Sequence, residues 1–342
     1  MKAVYFDGSN LLFKKFKEPY AAADQVKIRF ELGGICSTDL EILKGYGDFI
    51  GVLGHEVVGT VVSAPGKPEL VSKKVVFDIN IGCNKPGCSL CSRGLQKHCF
   101  KRRAVGINGY SGGFSEYFIL PMQNVVEIPD ELMPKKAVFA EPLAAAMEPL
   151  DRDLIKKTDE ITVFGVGKLG TLAMLGLHAK GYNVIGVVRT DEHKEFLESR
   201  FPQLKLIKAE KVVGRFDVVY ESAGSTSIYA RLLNYVKPQG TLIIKSTLSE
   251  YKTDKNSNER QIIPALNTYD INNIVVNEIK VIGSRCGNIK AAVDLLAEGK
   301  FDPTSLISYE FPLDQAGVAF KKAANNPGKK VLLYQSTVDE IV

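Results

Sequence analysis

The sequence predicts an α/β protein of two units, a mainly β unit at the amino end followed by a doubly wound parallel sheet. Three observations carry that expectation. The 342 residues amount to about two domains' worth of chain. Up to about Pro129 the chain offers short β-like runs broken by turns containing Gly, Pro and Asp. Between about Leu150 and Gly287 apolar strands alternate with helical stretches, the rhythm of βαβ units.

Taken in order, the first unit offers strands at Ala3–Phe6, Val26–Leu32, Val57–Val62, Val75–Ile79 and Phe114–Leu120. The second offers strands at Ile161–Phe164, Val184–Val188, Phe216–Tyr220, Thr241–Ile244 and Lys280–Gly283, with helices at Lys168–Ala179, Glu192–Ser199 and Ser227–Val236. After Asn288 come two helical stretches, Ile289–Glu298 and Leu313–Ala323, and a closing strand Lys330–Tyr334. Periodicity leaves open whether these last residues cap the parallel sheet or return to the first unit.

Composition narrows the class. With 45% apolar and 24% charged residues, disordered, collagen-like and disulfide-scaffold proteins are excluded. A net charge of +5, spread evenly, is no footprint for nucleic acid or a membrane surface. No apolar run reaches the length of a signal peptide core or a membrane span, so a soluble, cytoplasmic protein is expected. Four of the six cysteines cluster at Cys83, Cys88, Cys91 and Cys99, which in a reducing compartment reads as a metal site.

Three sets of residues carry chemistry. Gly165-Val-Gly167-Lys168-Leu169-Gly170 follows a strand and opens a helix, where unpaired N–H groups favour a dinucleotide pyrophosphate. The next strand ends Val188-Arg189-Thr190 with no acid at its tip. Arg189, Thr190 and Lys194 are donors for a 2′-phosphate, so NADP is favoured over NAD, with Asp191 as the residue that would read the ribose instead. The four-cysteine lobe, about 82–103, has the donor count of a closed structural zinc. Its basic flanks, Lys97-His98 and Lys101-Arg102-Arg103, read as a solvated face. The third set is dispersed: Cys36 in Gly34-Ile-Cys36-Ser-Thr38-Asp39, His55-Glu56 after Gly54, and Glu141 in Glu-Pro-Leu. A thiolate, an imidazole and a carboxylate suit a zinc that keeps a position open for substrate.

These motifs, in this order, resemble the medium-chain, zinc-dependent alcohol dehydrogenase superfamily over essentially the whole chain. Glu-Pro-Leu and Gly283-Ser284-Arg285-Cys286-Gly look most like its polyol, sugar and threonine dehydrogenase branch. The resemblance implies a GroES-like catalytic domain over 1–149, completed by about 288–342, and a Rossmann dinucleotide-binding domain over 150–287. It implies two zinc ions per chain: a catalytic one on Cys36, His55 and either Glu56 or Glu141, and a structural one on Cys83, Cys88, Cys91 and Cys99. Thr38 resembles the hydroxyl that relays the substrate proton, and Asp39 the acceptor that orients the His55 ring. A bare N-cap role for Thr38, on a helix Asp39–Leu43, is the structural alternative. Ser284 and Arg285 join the cofactor contacts. The implied reaction passes a hydride between an alcohol, expected to be a polyol or sugar, and the nicotinamide, in a cleft between the domains. A homo-oligomer, dimer or tetramer, follows by the same analogy, as does a small-molecule alcohol or carbonyl partner. Weighed against this are a non-catalytic dinucleotide-binding sensor and a zinc-free quinone reductase-like protein, both of which the intact zinc residues disfavour. The chain departs from the family pattern at the long Cys83–Cys88 spacing, at Ser72-Lys73-Lys74 in place of Gly-Asp, and at Pro65 in place of Gly. Cys286, His178 and His193 read as packing or exposed helix residues.

Overall fold

The structure is a computed structural model describing residues 1–224, 228–247, 268–326 and 328–336. It divides into Met1–Glu141 with Asn288–Val342, and Pro142–Gly287.

The first unit is built on a seven-stranded sheet, in the order Val125–Glu127, Lys74–Phe77, Glu56–Ser63, Gln25–Gly34, Lys330–Tyr334, Ile307–Pro312, with Tyr117–Pro121 pairing Gln25–Gly34 as well. Along Gln25–Gly34, Val26, Ile28, Phe30 and Leu32 all point inward, which fixes the register by burial alone. Lys330–Tyr334 runs antiparallel to Gln25–Gly34, with Leu332 opposite Gly34. The carboxyl-terminal strand therefore returns to the first unit. Where the family pattern has glycine, Ser72 adopts a φ of +70°, the left-handed turn conformation that glycine takes without strain.

The second unit is a six-stranded parallel sheet in the order Lys205–Lys208, Val184–Val188, Ile161–Phe164, Phe216–Glu221, Val236–Ile244, Lys280–Gly283. Helices Lys168–Ala179 and Asp191–Arg200 connect the first three strands. Phe164, Val187, Val219, Leu232 and Leu242 pack as one apolar core. This is the doubly wound order, whose ligand crevice lies outside the carboxyl ends of the strands at the Ile161–Phe164 and Phe216–Glu221 junction.

Several expectations shift. The first division falls after Glu141 and not at 149, because helix Ala140–Asp151 is bonded into the parallel-sheet unit: Tyr220 donates to the Ala146 carbonyl at 3.0 Å and Lys245 to that of Ala145 at 2.6 Å. The helix expected over Ser227–Val236 spans Tyr229–Leu233, and Val236 already begins a strand. Ser227 lies outside the described residues. The helix near Thr38 runs Ser37–Ile42 with Cys36 as N-cap, so Thr38 is not the capping residue. Among the described residues no helix is long and apolar enough to cross a membrane.

Candidate functional site

Cys36 closes the strand Gln25–Gly34 into the short helix Ser37–Ile42. Its N–H donates to Asp39 Oδ2 at 2.8 Å, which turns the first helical residues around the sulfur and leaves Thr38 Oγ1 3.7 Å from Cys36 Sγ. His55 and Glu56 enter at the start of strand Glu56–Ser63, next to Gly34. Ligand atoms of Cys36, His55 and Glu56 lie within 4.8 Å of one another. Asp39 Oδ1 approaches His55 Nδ1 at 3.3 Å, which aims the other ring nitrogen away from the carboxylate.

The electrostatics favour charge on Cys36 and His55 together. Burial opposes charge on both groups, yet His55 beside Cys36 brings the thiol down to about 6. Asp39 and Cys36 in turn hold the His55 imidazolium well above its ordinary range, against the same burial. Glu141 stands outside the tight trio, and burial, with the negative charge of Cys36, pushes its carboxyl up to about 7 against the pull of His55. Glu56 is buried on Lys330, whose ammonium contacts Glu56 Oε2, and both side chains are almost wholly enclosed. A half-buried sulfur with a buried imidazole and carboxylate, all within 4.8 Å, fits a divalent zinc better than any apolar packing role. Lys330 escaped sequence reasoning, since a lysine opening an apolar strand reads as a solvated end.

In the lobe, Cys83 and Cys91 sulfurs stand 3.9 Å apart and those of Cys88 and Cys99 3.8 Å. Four thiolates about 2.3 Å from a tetrahedral zinc would be about 3.8 Å from one another, so the spacing fits the ion. All four ligand atoms lie within 4.8 Å. The long Cys83–Cys88 spacing is taken up by a turn in which Asn84 has a φ of 48° and Cys88 N–H donates to the Lys85 carbonyl at 3.0 Å. Backbone N–H groups of Cys91 and Leu90, then Cys83, bring the Cys88 thiol down to about 6. For Cys91 the Asn84 N–H acts downward, but burial and the neighbouring Cys88, Cys99 and Cys83 drive the thiol up to about 11. Four sulfurs that cannot all ionise together are what a dication relieves.

At the glycine loop each glycine answers a different need. Gly165 has a φ of +91°, and a Cβ there would fall 2.5 Å from Ala223 N. Gly170 would overlap the Gly165 carbonyl. Gly167, the N-cap of helix Lys168–Ala179, faces open space, so what keeps it small is room for something outside the chain. Lys168 and Leu169 form the first turn of that helix. The loop thus fits a dinucleotide pyrophosphate.

The strand end beyond Val188 is partly committed to its own helix. Thr190 caps Asp191–Arg200 by accepting the His193 N–H at 3.3 Å, and Lys194 pairs with Glu198 at 2.7 Å. Arg189 is exposed, and Asp191 is drawn to Lys208 at 2.8 Å. His193, expected as a merely exposed helix residue, is half-buried with Nε2 2.7 Å from the Val166 carbonyl of the glycine loop. His178 is exposed. Ser284 is buried, donating to Glu148 and accepting from Lys245 Nζ at 2.7 Å, while Arg285 Nη1 reaches the half-buried Cys286 Sγ at 3.5 Å.

Residues 22–130 match the alcohol dehydrogenase GroES-like domain. Among curated proteins, the chain is 27% identical to D-arabinitol dehydrogenase 1 of Uromyces fabae, covering 97% of this chain and 96% of the relative. It is 24% identical to sorbitol dehydrogenase of Halalkalibacterium halodurans, covering 92% and 93%. Among solved structures, a zinc-binding dehydrogenase from Sinorhizobium meliloti bound to NADP superposes with a TM-score of 0.81 at 27% identity, covering 97% of this chain and 98% of that one. The GroES-like domain match, the six-stranded doubly wound sheet and polyol dehydrogenases as full-length relatives together support the likeness to the medium-chain, zinc-dependent alcohol dehydrogenase superfamily.

Proposed function

We infer that this chain, an NAD(P)-dependent oxidoreductase of alcohols, works with a catalytic zinc on a polyol or sugar, in a homo-oligomer and with NADP favoured. The observation that carries the zinc reading is the convergence of half-buried Cys36 with buried His55 and Glu56 within 4.8 Å. When bound, zinc would supply Lewis-acid polarisation of the substrate oxygen, and the nicotinamide would take up or deliver the hydride. Asp39 holds the His55 ring in one orientation through the contact at 3.3 Å. Thr38 would take the proton from a substrate hydroxyl and pass it outward, a role that the 3.7 Å between its hydroxyl and the Cys36 sulfur supports. Glu56 or Glu141 completes the ligand set, and Lys330 holds the former when it is not needed. Cys83, Cys88, Cys91 and Cys99 hold the second zinc, as a staple for a lobe with little apolar core.

Polyol dehydrogenases among the relatives support the substrate class. Arg189, exposed beyond Val188 where an acid would exclude a 2′-phosphate, supports NADP. The edge strand Lys280–Gly283, with Val281 exposed, and the exposed Val275 and Val276 support self-association. The test is metal analysis of the purified protein joined to a panel of polyols, aldoses and simple alcohols with each cofactor. Two zinc ions per chain and turnover of polyols above simple alcohols are expected. One zinc, or turnover that survives Cys36→Ser within about threefold, would refute the reading.

A further inference from the structure

Glu221 ends the strand Phe216–Glu221, paired in register with Phe164 on one side and Ile244 on the other. Its side chain is fully enclosed. Burying a carboxylate is costly unless each oxygen is satisfied. Here Oε1 accepts from the backbone N–H of Ala223 at 2.8 Å and of Gly224 at 2.9 Å. The other oxygen, Oε2, accepts from Ser246 N–H at 3.3 Å, with the Tyr229 hydroxyl at 3.5 Å. One carboxylate therefore folds the turn after its own strand and ties it to the exit of the next strand, Val236–Ile244.

That turn is the seat of the glycine loop. Ser222 N–H donates to the Phe164 carbonyl at 2.9 Å and its Oγ to the Gly165 carbonyl at 2.8 Å. A Cβ on Gly165 would lie 2.5 Å from both N and Cα of Ala223, and one on Gly170 would lie 2.9 Å from Ser222 Oγ. At Gly165 backbone meets backbone, with no side chain between to absorb a shift. A displaced Ser222-Ala223 turn must displace Gly165, and with it the N–H groups of the loop.

We propose that Glu221 is a positioning residue for the dinucleotide: through the Ser222–Gly224 turn it sets the height of Gly165 and so the aim of the Gly165–Gly170 N–H groups at the pyrophosphate. The proposal rests on the dinucleotide reading of that loop. Glu221→Ala leaves the N–H groups of Ala223, Gly224 and Ser246 without this acceptor and frees the turn. Glu221→Gln is milder, because the amide oxygen still serves Ala223 and Gly224 while its NH₂ is set against the Ser246 N–H. Ser222→Ala removes the hydroxyl bond to Gly165 and leaves the carboxylate in place.

The test is calorimetric titration of NADH and NADPH into the parent and the three variants at a temperature where each is folded, with steady-state kinetics alongside. Glu221→Ala is expected to weaken cofactor binding about tenfold or more, Glu221→Gln less, and Ser222→Ala a few-fold. Cofactor KM should rise with kcat at saturating cofactor within about twofold, and zinc content unchanged. A purely structural role would lower the melting temperature and leave the Kd of the folded variants where it was, which overturns the proposal. If Glu221→Ala does not fold, parent-like affinity in both Glu221→Gln and Ser222→Ala overturns it equally. A parent that binds neither nucleotide refutes the dinucleotide reading itself, and the proposal with it.

Discussion

Lys330→Met isolates the buried pair that sequence reasoning missed. The two side chains of Lys330 and Glu56 are 3% and 2% exposed, and the ammonium rests on Glu56 Oε2. A Cβ on Gly34 would lie 2.6 Å from that same oxygen, so the carboxylate has no room to turn away on that side. Methionine fills most of the lysine volume while deleting its charge, leaving Glu56 enclosed without its cation. Breaking one partner of such a pair costs about 3 to 5 kcal/mol. For a unit of this size each kcal/mol moves Tm by roughly 2 to 4 °C, so the metal-free variant should melt about 6 to 20 °C lower. Lys330→Met/Glu56→Leu should recover most of that, because replacing a buried pair by apolar groups is close to neutral. Added zinc should stabilise Lys330→Met by more than it stabilises the parent, since Glu56, freed of its cation, lies within 4.8 Å of the Cys36 and His55 ligand atoms. The assay is thermal unfolding by circular dichroism with chelator and with zinc. A drop below about 2 °C, or a double variant as unstable as the two singles summed, would refute the coupling.

Cys91→Ser should release one zinc of two and lower Tm, read by metal analysis and melting; retention of both ions refutes the lobe assignment. In metal-free protein the Glu141 carboxyl, raised to about 7 from 4.5, makes the folded state bind its proton more tightly than the unfolded chain. That contribution to stability is full below pH 4.5 and is lost as pH rises through about 7, so Glu141→Gln should flatten the urea midpoint across that window and an unchanged slope refutes it. Zinc uptake at Cys36, whose thiol lies at about 6, should fall steeply as pH drops below that value, measured by competition with a chromophoric chelator. Arg189→Ala should cut the NADP over NAD preference in kcat/KM by about ten- to a hundredfold at fixed ionic strength, and an unchanged ratio refutes the Arg189 contact.

Much of this was legible in the sequence where one physical cause acts alone. Ile161–Phe164, Lys168–Ala179, Val184–Val188 and Lys280–Gly283 occupy the residues that periodicity assigns them, because each is an uninterrupted apolar or amphipathic run between turn residues. The lobe cysteines were legible for a different reason: four thiols at short spacing have few other uses in a reducing compartment. Where two causes compete, residue type alone does not decide: Thr38 has the side chain of a helix cap, the alternative to its relay role, yet Cys36 takes that place because Asp39 reaches back to the Cys36 N–H.

The residues that stayed illegible share one property: their partners are remote in sequence. Lys330 and Glu56 are 274 positions apart, and they meet because the Lys330–Tyr334 strand comes back to lie beside Gln25–Gly34. Glu221 has the local pattern of a polar strand end, yet the Ser246 N–H bonds it and the Gly165 loop stands against its turn. In both cases a charged residue at the end of an apolar run is enclosed by a neighbouring strand and satisfied there, where local pattern alone predicts exposure to solvent. The Cys36, His55 and Glu56 trio and the glycine loop thus each lie against a buried ionisable side chain supplied by the fold. A substitution at Lys330 or Glu221 should act on metal or on cofactor while leaving every residue of the recognisable motifs unchanged.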